Sequence, residues 1–89
     1  MKKVSVLIPT YNHVCVALVK GLAQQLEAVG DDYEIIVADD GSTDAATVAE
    51  NQAIDAPPHC RYIVRAENAG RATIRNFLVR EAQQPYVLF

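Results

Sequence analysis

Four short hydrophobic runs recur along the chain, at residues 4–8, 34–38, 61–64 and 86–89. Each is continuous, with little polar alternation, as expected of strands covered on both faces in a parallel sheet. Between them the period lengthens. Val14, Leu18, Leu22 and Leu26 recur at every fourth position until Gly30-Asp31-Asp32, which predicts a first helix. Ser42, Thr43 and Asp44 offer cap-forming side chains ahead of Ala45, Ala46 and Val48, and predict a second helix ending before Pro57 and Pro58. Ile74, Phe77, Leu78 and Ala82 form the apolar stripe of a third, over residues 70–83. Strands alternating with helices predict right-handed βαβ units and an open α/β sheet. No internal repeat, low-complexity tract or long linker interrupts this order.

The length of 89 residues suits one domain at most. A chain of that size buries only about 60–65% of the surface its unfolded form exposes, so its core is small. A formal net charge of −3 argues against a general nucleic-acid binder, so an anionic ligand needs a local basic cluster. No apolar run approaches the roughly 20 residues that span a bilayer. The Met1-Lys2-Lys3 start resembles a signal-peptide n-region, but Pro9 ends the apolar run too early for an h-region. Cys15 and Cys60 lie far apart with no paired spacing, and read as two reduced, buried thiols in a cytoplasmic protein. For a longer parent protein, the cytoplasmic face of the membrane belongs to the same expectation. His13 and His59 match no metal-ligand spacing. The sequence stops inside an apolar strand, at Val87-Leu88-Phe89, which predicts that it is part of a longer protein, since natural termini normally lie at the surface.

In an open α/β sheet, ligands bind beyond the carboxyl ends of the strands. The chemistry-bearing residues stand there. After the first strand come Pro9, Thr10, Tyr11 and Asn12; after the second, Asp39, Asp40, Gly41, Ser42, Thr43 and Asp44; after the third, Glu67 to Arg71. Tyr11 offers an aromatic face on which a base can stack. Asp39 or Asp40 can accept hydrogen bonds from a ligand N–H or hydroxyl. Arg71 and Arg75, four apart, share a helix face, and Arg71 stands in the first turn, where anions are favoured. Taken singly, each has a plainer explanation: a strand exit with a helix cap, a packing tyrosine, solvated arginines. Their joint placement at three successive strand ends favours one binding crevice.

The segments VSVLIPTYN (4–12), EIIVADDGSTD (34–44), ENAGRATIRN (67–76) and PYVLF (85–89) together resemble the opening of the family 2 glycosyltransferases of GT-A fold, in order and spacing, across nearly the whole chain. The resemblance implies a three-layer α/β/α Rossmann-like half-domain with strand order 3-2-1-4. It also implies a hexosyltransferase-like parent that moves a sugar from a uridine or guanosine diphosphate donor, in a role such as cell-envelope polysaccharide synthesis. By the same resemblance, Pro9, Thr10 and Tyr11 line the base pocket, Asp40 contacts the base edge, and Arg71 and Arg75 flank the nucleotide. The family places a DxD motif after the fourth strand, whose acids hold Mg²⁺ or Mn²⁺ on the donor diphosphate, and a catalytic base later still. Neither lies within these residues. The expectation is therefore a nucleotide-binding segment with no metal site and no catalytic residue of its own, inactive alone and able to pair with a second copy through its fourth-strand edge.

Three other readings stay open at this level. A dinucleotide-binding dehydrogenase also places an acid after the second strand, but needs a glycine-rich turn after the first, where this chain has Pro-Thr-Tyr-Asn-His. A phosphoreceiver domain places its acidic pair after the first strand. A stand-alone nucleotide- or protein-binding module would keep the fold without the transfer.

Overall fold

The structure is a computed structural model that describes residues 3–30, 32–57, 59–84 and 86–88, the last three by their backbone. The elements run β1 (Lys3–Thr10), α1 (Val16–Val29), β2 (Asp32–Asp39), α2 (Ala45–Asn51), a 3-10 turn (Gln52–Asp55), β3 (Cys60–Val64), α3 (Arg71–Glu81) and β4 (Tyr86–Leu88). The predicted helices and strands are all present. The extension of the fourth strand to Phe89, like the stops predicted at Asp31 and Pro58, lies outside the described residues. All strand pairs are parallel and the sheet order is β3-β2-β1-β4, the order that the resemblance implies.

Alternation along the strands sorts the core into two layers. Val4, Val6, Ile35, Val37, Cys60 and Tyr62 pack with Cys15 and Val19 of the α1 side, while Leu7, Ile36 and Ala38 pack with Ile74 and Leu78 of α3. Helices therefore cover both faces of the sheet. The expected stripe of α3 holds, with Phe77 and Ala82 packed against the second layer. That of α1 does not. Leu18 is 54% exposed and Val14 43%, whereas Val19 is buried and Leu22, Ala23 and Leu26 are packed in part. The cause is geometric. A strict four-residue repeat drifts about 40° per step around a helix of 3.6 residues per turn, so its early members leave the face that its later ones occupy. The helix also begins at Val16, which leaves Val14 in the preceding loop.

The amino ends of the strands are closed by a polar network. Ser5, fully buried, donates to Glu34 at 2.6 Å and accepts from the Gln84 amide at 3.2 Å, and Glu34 also receives the Gln83 amide. Arg61 pairs with Glu81 at 3.3 Å and Glu34 at 3.8 Å. These bonds fix the turn that leads from α3 into β4, at the end of the sheet away from the chemistry-bearing turns. Cys15 and Cys60 are free and buried. No helix among the described residues is long and apolar enough to cross a membrane.

Candidate functional site

Register places Thr10 opposite Asp39 and Asp39 opposite Val64, so three strands end level and their turns open side by side. Backbone bonds continue the match past the strands: the Asp40 amide donates to the Thr10 carbonyl at 2.9 Å, and the Arg65 amide to the Asp39 carbonyl at 2.9 Å. A cavity of about 280 Å³ lies over these ends, lined by Pro9, Thr10, Tyr11, Asp40, Arg71, Ile74 and Arg75. The six residues singled out in the sequence thus surround one cavity. The addition is Ile74, buried beneath it as an apolar floor. Tyr11 is 46% exposed. Two arginines and one aspartate line this cavity, a local excess of positive charge in a chain of net charge −3.

The two adjacent acids divide their work. Asp39 is fully buried and serves the fold: it accepts from the Tyr62 hydroxyl at 2.7 Å and from the Ser42 amide at 2.7 Å. Burial, and then the bond to Asp39, push the Tyr62 hydroxyl well above the ordinary phenol range. Asp40 faces the cavity, and each of its oxygens accepts one backbone amide, Ala69 at 2.9 Å and Gly70 at 3.0 Å. A carboxylate has about four acceptor positions, so Asp40 can hold the 69–70 loop and still accept from a ligand. It also places an anion at the approach to α3, which leaves the Arg71 and Arg75 side chains as the cationic groups facing the cavity.

The turn after β2 shows why Gly41 stands between these acids and the helix. Its φ is +76°, and a Cβ there would lie 2.5 Å from the Asn68 amide nitrogen and 2.6 Å from the Glu67 carbonyl carbon. The loop that Asp40 holds passes directly over this glycine. Asp44 then caps α2 as expected, accepting from the Ala46 amide at 3.1 Å and the Thr47 hydroxyl at 2.8 Å, a bond that lowers its pKa.

Two asparagines have roles that the sequence does not show. Asn12 has φ +50° and reaches across to the second turn: its Oδ1 accepts from the Thr43 and Asp44 amides, and its Nδ2 donates to the Thr43 hydroxyl. Asn51, fully buried at the end of α2, accepts from the Cys15 amide and donates to the His13 carbonyl, both at 2.8 Å, which anchors the loop leading into α1. The readiness of asparagine for left-handed backbone directly after a strand was the available signal for Asn12. Nothing local marks Asn51.

The described residues contain no group of three or more His, Cys, Asp or Glu side chains able to hold a metal ion. Asp39 divides its oxygens between the Ser42 amide and the Tyr62 hydroxyl, Asp44 holds the start of α2, and Asp40 bonds the 69–70 loop.

Comparison with known proteins bears on what such a crevice belongs to. The chain is 33% identical to an uncharacterized glycosyltransferase of Haemophilus influenzae over 89 residues, all of this chain and 35% of that protein. It is 30% identical over 92 residues to a teichoic acid poly(glycerol phosphate) polymerase of Staphylococcus epidermidis, again over the whole chain but 12% of that protein. It therefore spans about a third or less of the length of these relatives. Among solved structures it is similar to a mannosyltransferase from Pyrobaculum calidifontis in complex with GDP-Man and Mn²⁺, with a TM-score of 0.61, 25% identity, and cover of 94% of this chain and 25% of that one. The fold is that of a GT-A half-domain. Residues 5–89 match the family described as Glycosyl transferase family 2, and with the cavity at the strand ends and the parallel β3-β2-β1-β4 sheet this makes the chain a member of that family.

Proposed function

We propose that this chain forms the nucleotide-binding side of an enzyme that transfers a sugar from a nucleoside diphosphate donor to an acceptor. One observation carries the reading: Pro9, Thr10 and Tyr11 at the end of β1, Asp40 just after β2, and Arg71 and Arg75 in the first turns of α3 line a single cavity. Tyr11 supplies a stacking face for the base, worth about 1–3 kcal/mol where such contacts have been measured. Asp40 supplies acceptors for base-edge N–H groups, which both uracil and guanine carry. Arg71 and Arg75 supply charge for the diphosphate. At about 280 Å³ the cavity falls just below the roughly 300–1,000 Å³ usual for small-molecule sites, which suits the nucleoside end of a donor rather than the whole of it.

The mannosyltransferase solved with GDP-Man and Mn²⁺ supports a nucleotide sugar and a divalent cation for the parent enzyme. Mg²⁺ or Mn²⁺ would neutralise phosphate charge as the nucleotide leaves. With no cluster of three such side chains among the described residues, the reading places the metal ligands elsewhere in the parent enzyme, apart from the nucleotide side. The teichoic acid polymerase supports a cell-envelope polymer as the destination of the sugar. Among the described residues β4 lies at the edge of the sheet, and the reading extends to pairing with a second copy along that strand.

Titration calorimetry with uridine and guanosine diphosphates tests the reading. Asp40→Ala should weaken binding by roughly 1–3 kcal/mol, the cost of leaving a buried partner unpaired. Asp39→Ala, whose side chain points into the fold, should act on stability first. Equal and negligible losses of affinity in both variants would remove Asp40 from the site.

A further inference from the structure

We infer that Asn12 is a positioning residue for the nucleotide site, a clamp that fixes the Tyr11 ring against the turn carrying Asp40; this rests on the nucleotide-binding reading above. The need for a clamp follows from Tyr11 itself. Its side chain is nearly half exposed, so core packing does not hold its orientation, and a stacking platform that wanders loses part of its contact. The next residue carries the restraint. Asn12 donates its own amide to the Ser42 hydroxyl at 2.7 Å, accepts the Thr43 and Asp44 amides on Oδ1 at 2.9 and 3.0 Å, and donates Nδ2 to the Thr43 hydroxyl at 3.1 Å. Four bonds from one residue tie the turn after β1 to the turn after β2. Ser42 passes the restraint inward, because its amide donates to the buried Asp39 carboxylate, which in turn holds Tyr62 of β3. The left-handed backbone, φ +50°, turns the chain so that the Asn12 side chain meets the second turn while Tyr11 lines the cavity. Asparagine suits both tasks. It tolerates this conformation better than most residues, and its amide carries an acceptor and a donor on one planar group. None of the four bonds touches the cavity, so Asn12 acts through Tyr11 and not on the ligand.

The test uses the protein that carries this chain, with uridine and guanosine diphosphates and inorganic diphosphate as probes. Asn12→Gly removes the side-chain bonds while keeping backbone freedom at positive φ, so folding is preserved. Affinity for the nucleoside diphosphate that the wild type prefers should fall about tenfold, with inorganic diphosphate unaffected. Amide exchange should quicken at Thr43 and Asp44. Asn12→Asp, which keeps the acceptor for both amides, should restore most of the affinity. In a Tyr11→Ala background, Asn12→Gly should cost nothing further, since coupled residues are not additive. Full additivity of the two substitutions, or unchanged nucleoside diphosphate affinity in Asn12→Gly, overturns the positioning role and leaves the nucleotide reading intact. A wild-type protein that binds neither nucleoside diphosphate overturns both.

Discussion

Asp39 and Asp40 are chemically identical neighbours with opposite consequences on removal. Asp39→Ala strips a buried partner from the Tyr62 hydroxyl and the Ser42 amide. We expect a stability loss of about 1–3 kcal/mol in denaturant titration. Asp40→Ala frees the Ala69 and Gly70 amides, but both residues are exposed and water can take up those bonds. The variant should therefore lose less in unfolding than Asp39→Ala and show its main effect in nucleotide affinity. Gly41→Ala forces a Cβ to 2.5 Å from the Asn68 amide nitrogen at a φ that disfavours alanine, and should cost more than about 1 kcal/mol in thermal unfolding. How much of this is legible in the sequence differs by residue. That Tyr11, Arg71 and Arg75 stand together at the strand ends can be read because their chemistry needs no partner to be noticed. The sequence alone leaves Asp39 and Asp40 interchangeable, and only the family resemblance points to Asp40. The separate duties of Asp39, Asn12 and Asn51 cannot be read, because each is defined by a partner 23 to 38 positions away in the chain, a pairing that only the fold creates.

Among the elements, α3 and α1 show where periodicity suffices and where it misleads. The apolar residues of α3 fall on one face because their spacing mixes three and four, and Leu78 ends fully buried. The every-fourth spacing of α1 marks a helix correctly but assigns Leu18 to the core, where the structure puts Val19. Leu78→Ala should therefore cost about 2–5 kcal/mol, as buried leucines do. Leu18→Ala should stay within about 0.5 kcal/mol. Parallel denaturant titrations of the two variants compare them, and a similar loss in both would contradict the assigned helix face. The strands could be read more securely than α1, since runs covered on both faces need no choice of side, and register then follows from level strand ends.

For the whole molecule, pH gives a test of the packed sheet. Burial first, and then the 2.9 Å bond to Glu27, raise the Tyr33 hydroxyl from 10.0 to about 12, and the Tyr62 hydroxyl is raised by burial and Asp39. A phenol is neutral when protonated, so a folded-state pKa above the unfolded one means that the folded chain keeps its proton longer. The corresponding stability is fully present below about pH 10 and is lost as pH rises toward 12 and beyond. Denaturant midpoints should fall across that range, less steeply in the Tyr33→Phe variant. The central claim, that the strand-end turns form a nucleotide site, is tested most directly by locating a bound nucleotide on the molecule. Uridine and guanosine diphosphates titrated into isotope-labelled protein should shift the amides of Thr10, Tyr11, Asp40, Ala69, Gly70 and Arg71, with little change at the Ser5–Glu34–Arg61 network at the opposite end of the sheet. Saturable shifts confined to that far end, or to the groove between α1 and the 3-10 turn lined by Val19 and Ile54, would contradict the account.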